Sequence, residues 1–260
     1  MNEDEAVIVR EMRGDALWLR INRPTARNAI NDLVIEGLWR GLDEALAAGA
    51  KVVVVTGTGD RAFCAGGDLK PGATSFQFDH SRNGTAYANL FRRVVNFDLP
   101  LVARVNGACM AGGMGLMAMC DMVVAADTAI FGLPEVKVGL FPMQVASVLQ
   151  HLMPARLFRE MCLTGEPIGA ARAQAADLVN YVVPAAELDQ KTGWLIERLA
   201  DKSPTAIRRG RYALAAIADM TFEQSISFTE AQVGPLLLTE DAQEGFAAFN
   251  EKRPPRWTGR

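Results

Sequence analysis

Histidine is nearly absent from this 260-residue chain, with only His80 and His151 present, and its four cysteines (Cys64, Cys109, Cys120, Cys162) form no CxxC pair. Zinc-ligand spacing is therefore missing, and reduced, mostly buried thiols are expected. No charge-free run approaches the ~18–20 residues that cross a bilayer, and the acidic opening MNEDEAVIVR has neither the basic nor the apolar region of a signal peptide. These absences predict a cytoplasmic protein with no membrane partner. An excess of positive charge is also lacking: 27 Lys and Arg stand against 30 Asp and Glu, a net charge of −3, so no nucleic-acid partner is expected. The one basic cluster, Lys202, Arg208, Arg209 and Arg211 in DKSPTAIRRGR, reads as a solvated helix face. Nor is there a Walker GxxxxGKS or GxxxxGKT loop, a GxGxxG fingerprint, a low-complexity tract, a long linker or a fixed-period repeat.

What is present is a chain that is half hydrophobic and long enough to bury roughly 70–75% of its unfolded surface in one large domain, with or without a smaller appendage. AVIVR (6–10) and ALWLRI (16–21) flank Gly14-Asp15 and read as a hairpin. Asn31 is placed to cap a helix over about 32–48, with Leu33, Leu38, Leu42 and Leu46 among its apolar positions. VVVVTG (52–57) is a strand covered on both faces, and LVARVNG (101–107) another buried strand. A helix over about 85–97 precedes Pro100, a helix begins by about 113, and short strands follow near 122–126 and 129–131. Strands alternating with helices imply an α/β core with roughly parallel sheets. After about 142 strands nearly vanish and six segments from VASVLQHL to DAQEGFAAFNEKR read as helices, several opening on Ser, Thr, Asp or Pro. The expected division is an α/β core over 1–195 and a helical, oligomerising region over 196–260.

Two glycine turns carry the chemical signal. Strand VVVVTG leads to RAFCAGGDLK (61–70), and strand LVARV leads through Asn106-Gly107 to CMAGGMGLMAMCD (109–121). Glycine permits close approach of a backbone or ligand, and the first N–H groups of a helix point outward unpaired. Two such turns could each offer one N–H to a single developing oxyanion. The plain alternative is that each is only a tight turn and the methionines core filler.

AFCAGGDLK, RVNGACMAGGMGLMAMCDMVVAADTAIFGLPEVKVGLFP and LTGEPIGAARAQAADLVNYVVP resemble, in order, signatures of the enoyl-CoA hydratase/isomerase (crotonase) superfamily, and the similarity runs from about residue 6 to NEKRPPRWTG. The resemblance implies a spiral of ββα units with a C-terminal helical extension, a homotrimer or hexamer, and acyl-CoA thioester substrates in which coenzyme A is part of the substrate and no separate cofactor is needed. It implies that the thioester oxygen sits between the peptide N–H groups of Gly67 and Gly112. It places Ala26, Arg27, Ala65 and Asp68 near the pantetheine and adenine, and Lys252 near the phosphates, from the same or a neighbouring subunit. Ordinary exposed charge is the rival reading of Arg27 and Lys252. Asp177 stands where the family usually has glycine.

Well-known hydratases of the family carry two glutamates. This chain keeps one, Glu135 in FGLPEVKVGL; the other position is Gly115, which has no side chain to ionise. With the resemblance, Glu135 is the candidate general base; without it, a solvated loop carboxylate. A water deprotonated by Glu135 would add to C3 of a polarised 2-enoyl-CoA, and the same carboxylate would return a proton to C2. The alternative is proton transfer between C4 and C2 of a 3-enoyl-CoA, which is double-bond isomerisation; hydration ranks first. A Ser-His-Asp hydrolase would need a serviceable histidine, but His80 lies in a variable loop and His151 reads as a packed helix residue. A non-catalytic acyl-CoA or RNA binder is a further alternative. Phe76, Phe78 and Tyr87 fall in the segment expected to line the acyl pocket.

Overall fold

A computed structural model of the chain describes residues 6–69, 81 and 83–260. Phe76, Phe78 and His80 lie outside the described residues. The hairpin forms from β1 (Ile8–Arg13) and β2 (Ala16–Ile21), which pair antiparallel. Next come α1 (Asp32–Ala47), β3 (Val52–Gly57), β4 (Ala62–Cys64) and α2 (Ala86–Val95). They are followed by β5 (Leu101–Val105), β6 (Ala108–Met110), α3 (Gly112–Ala118), β7 (Met122–Ala126) and β8 (Ile130–Gly132). Helices α4 (Met143–Leu149) and α5 (Ala155–Thr164) precede β9 (Ile168–Gly169), α6 (Ala170–Ala175) and β10 (Tyr181–Val183). The chain ends in α7 (Leu188–Ala200), α8 (Pro204–Ile217), α9 (Phe222–Leu237) and α10 (Glu240–Glu251).

The strands form two sheets, of order β1-β2-β3-β5-β7-β10 and β4-β6-β8-β9. Along the chain β3, β5 and β7 of the first sheet are each followed by β4, β6 and β8 of the second, so the chain climbs as ββα turns. This is the expected spiral. Period-two alternation explains why β3 is apolar throughout: Val53 and Val55 enter the main core, while Val52 and Val54 face a second cluster with Leu188, Leu195 and Ile196 of α7. The boundary expected at 195 thus falls inside α7, a helix that belongs to the sheet's outer face.

Several expectations need correction. Asn31 does cap α1, accepting from the Val34 N–H at 3.0 Å, but Leu33 and Leu46 are exposed; the buried stripe is Val34, Ile35, Leu38, Leu42 and Ala45. The reason is register, since residues 33 and 46 lie off the stripe that a 100° step draws through 34, 38 and 45. His151 is not a packed helix residue: α4 ends at Leu149 and His151 is exposed in the turn beyond it. Two short strands, β9 and β10, occur after residue 142. The basic cluster is not simply solvated. The Arg211 side chain is only 11% exposed, pairs with Asp121 at 2.9 Å, and donates to the carbonyls of Phe97 and Val94, so it clamps α8 to the core. Arg208 donates to Gly259 O and Arg209 to Gln232. All four cysteines are free and buried, as expected. Asp177 has φ 59°, a left-handed conformation that explains a glycine preference and that Asp tolerates.

Candidate active site

Strands β4, β6 and β8 are parallel neighbours, paired through Cys64↔Cys109, Cys109↔Phe131 and Met110↔Gly132. All three therefore end on one edge of the small sheet. Beyond β4 lies Ala65-Gly66-Gly67, beyond β6 Ala111-Gly112, and beyond β8 Leu133-Pro134-Glu135. Gly67, Gly112 and Glu135, 45 and 23 residues apart in sequence, fall at successive strand ends because the ββα turns repeat, and the carboxyl ends of parallel strands are where ligand crevices open.

At the first turn, Ile30 N–H donates to Gly66 O at 2.7 Å and Asp68 N–H donates to Ile30 O at 2.9 Å, so Gly67 sits opposite Ile30 in a parallel bridge. In that pattern residues 66 and 68 make the bonds and Gly67 turns its own N–H to the other side, where it has no partner among the described residues. At the second turn, Ala111 N–H donates to Gly132 O at 2.8 Å, and Gly112, the first residue of α3, leaves its N–H without a partner among the described residues. Ala111 has φ 51° and ψ −123°, a glycine-type conformation that costs an alanine of order 1–3 kcal/mol. With α3 only seven residues long, the donor is the peptide N–H itself more than a helix dipole. The turns touch: a Cβ on Gly66 would lie 2.6 Å from the Ala111 Cβ and 3.4 Å from Gly112 N, and one on Gly113 would overlap Cys64 O. Only bare backbone lets the two turns come this close.

Glu135 lies in the single turn Pro134–Val138. Its Oε2 is buried with no hydrogen-bond partner. Burial raises its carboxyl above the usual range, partly opposed by its own backbone N–H. The neighbouring cation does not neutralise it, because Lys137 pairs with Glu166 at 2.8 Å. Its charge reaches Cys162, whose thiol is pushed to about 11 mainly by burial and further by Glu135, and it reaches Tyr87. A half-buried carboxylate left unpaired and shifted upward is suited to accept a proton near neutral pH.

The remaining candidates fall as follows. Arg27, left-handed at φ 52°, accepts at its carbonyl from Ala65 N–H at 3.1 Å, which brings Ala26, Arg27 and Ala65 together; the Arg27 side chain is exposed. The Asp68 carboxylate is held by Arg23 at 2.7 Å, and Arg23 also donates to Ala29 O at 2.6 Å. Arg23 has no sequence signal that would have singled it out. Lys252 closes α10, which packs on α8 and α9, and no described hydrogen bond or ion pair joins it to the glycine turns. At Gly115 a Cβ would overlap the Tyr87 hydroxyl and lie 2.7 Å from Phe91 Cζ, so a second acid cannot be installed there while Tyr87 keeps its place. Among the described residues, no group of three or more His, Cys, Asp or Glu could hold a metal, and no helix is long and apolar enough to cross a membrane.

A sequence profile described as enoyl-CoA hydratase/isomerase matches residues 13–260. The chain is similar to the 2,3-dehydroadipyl-CoA hydratase of Escherichia coli K12, 35% identical over 98% of this chain and 99% of that protein. It is 36% identical to the carnitinyl-CoA dehydratase of Escherichia coli O157:H7 over 81% of this chain and 82% of the other. The crystal structure of an enoyl-CoA hydratase from Mycobacterium tuberculosis superposes with a TM-score of 0.88 at 32% identity, covering 98% of this chain and 100% of that one.

Proposed function

Since the chain belongs to the enoyl-CoA hydratase/isomerase family, we propose that it adds water across the 2,3 double bond of an enoyl-CoA thioester, with Gly67 and Gly112 as oxyanion donors and Glu135 as the base. It is an enzyme of that family and hydratase-like; its relatives favour hydration over isomerisation. The observation that carries the assignment of roles is the meeting, on one sheet edge, of two unpartnered peptide N–H groups and one unpartnered carboxylate oxygen.

In this reading the thioester oxygen lies between the two N–H groups. Charge that builds on it during attack is stabilised, which makes C3 electrophilic. Glu135 takes a proton from water as its oxygen bonds to C3, and the resulting enolate collapses to C2 as the protonated Glu135 returns that proton. One carboxylate completes the cycle. Ala26, Arg27 and Ala65 line the approach of the coenzyme A arm, which enters as part of the substrate, with Asp68 bracing the turn and Lys252 supplying positive charge for the phosphates. Run in ¹⁸O-water with a 2-enoyl-CoA, the enzyme should yield 3-hydroxyacyl-CoA labelled at C3, faster than it shifts a 3-enoyl-CoA. Faster isomerisation without label would overturn the hydratase assignment.

Assembly follows from the last three helices. Residue Thr205 alone is buried in α8 and none in α9, while Leu214, Phe222, Leu238 and Phe249 are each at least two-thirds exposed. That much bare apolar surface on the region after α7 fits a subunit interface. Sedimentation should give a homotrimer or hexamer; a clean monomer at micromolar concentration would refute it.

A further inference from the structure

We propose that Tyr87 is a positioning residue whose hydroxyl is built into the first turn of α3, where it fixes Gly112 and with it the direction of the N–H offered to the thioester oxygen. The inference rests on the oxyanion reading of Gly112. Gly112 has no side chain to restrain it, so its orientation depends on what holds the groups on either side. On the N-terminal side Ala111 N–H is tied to Gly132 O at 2.8 Å. On the C-terminal side the Tyr87 hydroxyl donates to Gly112 O. Gly112 O is also the acceptor of the first turn of α3, residue i to i−4, so the phenol adds a second donor that comes from α2. A carbonyl oxygen has two lone pairs, so Gly112 O can take both the helix N–H and the phenol proton.

Gly115 and Tyr87 are two halves of this device. The hydroxyl occupies the space where a side chain at 115 would begin, and the ring packs on Phe91 with centroids 4.5 Å apart. The base of α2 is held in turn: Thr85 caps the helix, accepting from Ala88 N–H at 3.1 Å, and accepts from Gln144 of α4 at 2.6 Å. Absence of the second acid therefore leaves no hole. It admits a rigid aromatic ring whose proton is committed to the backbone. Burial, with further contributions from Cys64, Cys109 and Glu135, holds the phenol well above its ordinary range, so it stays protonated where the enzyme works.

Removing the hydroxyl takes away the bond that ties Gly112 O to α2, which frees the first turn of α3 to re-aim Gly112. The test reads polarisation of the thioester apart from turnover. A conjugated 2-enoyl-CoA bound to Glu135→Gln, which cannot turn over efficiently, should show a red-shifted absorbance from the pull of the oxyanion donors. Adding Tyr87→Phe should cut that shift by about half or more. On the wild-type background, Tyr87→Phe should lower kcat roughly 10- to 100-fold with KM little changed, the scale expected when a reacting group is misplaced by about 1 Å. An unchanged shift and unchanged kcat would overturn the role of Tyr87 while leaving the oxyanion site standing. Binding to Glu135→Gln with no shift at all would remove the oxyanion reading and the inference with it. Should Tyr87→Phe not fold, an amide-to-ester exchange at Gly113 keeps the ring and weakens the Gly112 carbonyl as the acceptor of the Tyr87 hydroxyl; it should diminish the shift, and an undiminished shift counts against the proposal.

Discussion

Glu135→Gln is expected to lower turnover of a 2-enoyl-CoA by roughly 10²- to 10⁴-fold, the usual worth of a general base, while acyl-CoA binding survives. Glutamine keeps the size of the side chain and one acceptor but has no titrating oxygen to take the water proton. Nothing else described around the site can replace it. Burial holds the Tyr87 phenol well above its ordinary range and pushes the Cys162 thiol up to about 11, and Lys137 is engaged by Glu166. The acid limb of the kcat/KM profile should therefore report one ionisation, lying above the ordinary glutamate value of 4.5. Kinetics with a folded Glu135→Gln enzyme decide the point, and turnover within a few-fold of wild type would remove Glu135 from the reaction.

The same substitution has an opposite effect on stability. Because burial raises the folded-state pKa of Glu135 above its unfolded value, the folded protein binds more protons than the unfolded chain between the two values. Stability consequently falls as pH rises through that window, and the cost of holding the carboxylate charged persists at neutral pH. Glu135→Gln should be somewhat more stable than wild type at pH 7, with that difference shrinking below about pH 4.5. Urea titrations at several pH values check the sign. A catalytic group held at a cost to the fold is the pattern expected when a site needs an unpaired charge.

Much of this was legible because local rules and the fold agree. Val52 to Val55 are apolar without alternation, and only a strand covered on both sides has use for that; Asn31 announces α1, and Gly14-Asp15 the first hairpin. The two glycine turns and Glu135 could be named as site residues from spacing within a family resemblance. What could not be read were interactions that join distant segments through one atom. Nothing near Arg23 signals that it will hold Asp68, nor does the charge run at 208–211 reveal that Arg211 turns inward to Asp121. Leu33 and Leu46 looked like core because leucine is apolar, but register, which depends on where the cap sets the helix, left them outside. Gly115 is the sharpest case. From sequence it is a missing acid, whereas the packing makes it room for Tyr87.

Deleting the N–H of Gly112 by an amide-to-ester exchange should cost about 10²- to 10³-fold in kcat, the typical loss for one oxyanion donor, with a smaller change in KM. The split follows from where charge develops: the ground-state carbonyl needs the donor little, the enolate-like transition state much. Ester exchange is preferred to Gly112→Pro for two reasons found in the packing. A Cβ at 112 would lie 3.0 Å from Ile30 Cδ1, so a proline ring would displace Ile30, whose backbone makes the bonds on either side of Gly67. Both donors would then be disturbed together. The ester, by contrast, leaves the Gly112 carbonyl in place to accept from Tyr87 and leaves Ala111 tied to Gly132. Loss of rate in a folded ester variant would thus belong to the one missing hydrogen. An undiminished kcat would mean that the thioester oxygen does not lie against Gly112, and that Glu135, on the neighbouring strand end, works on a substrate bound in some other orientation.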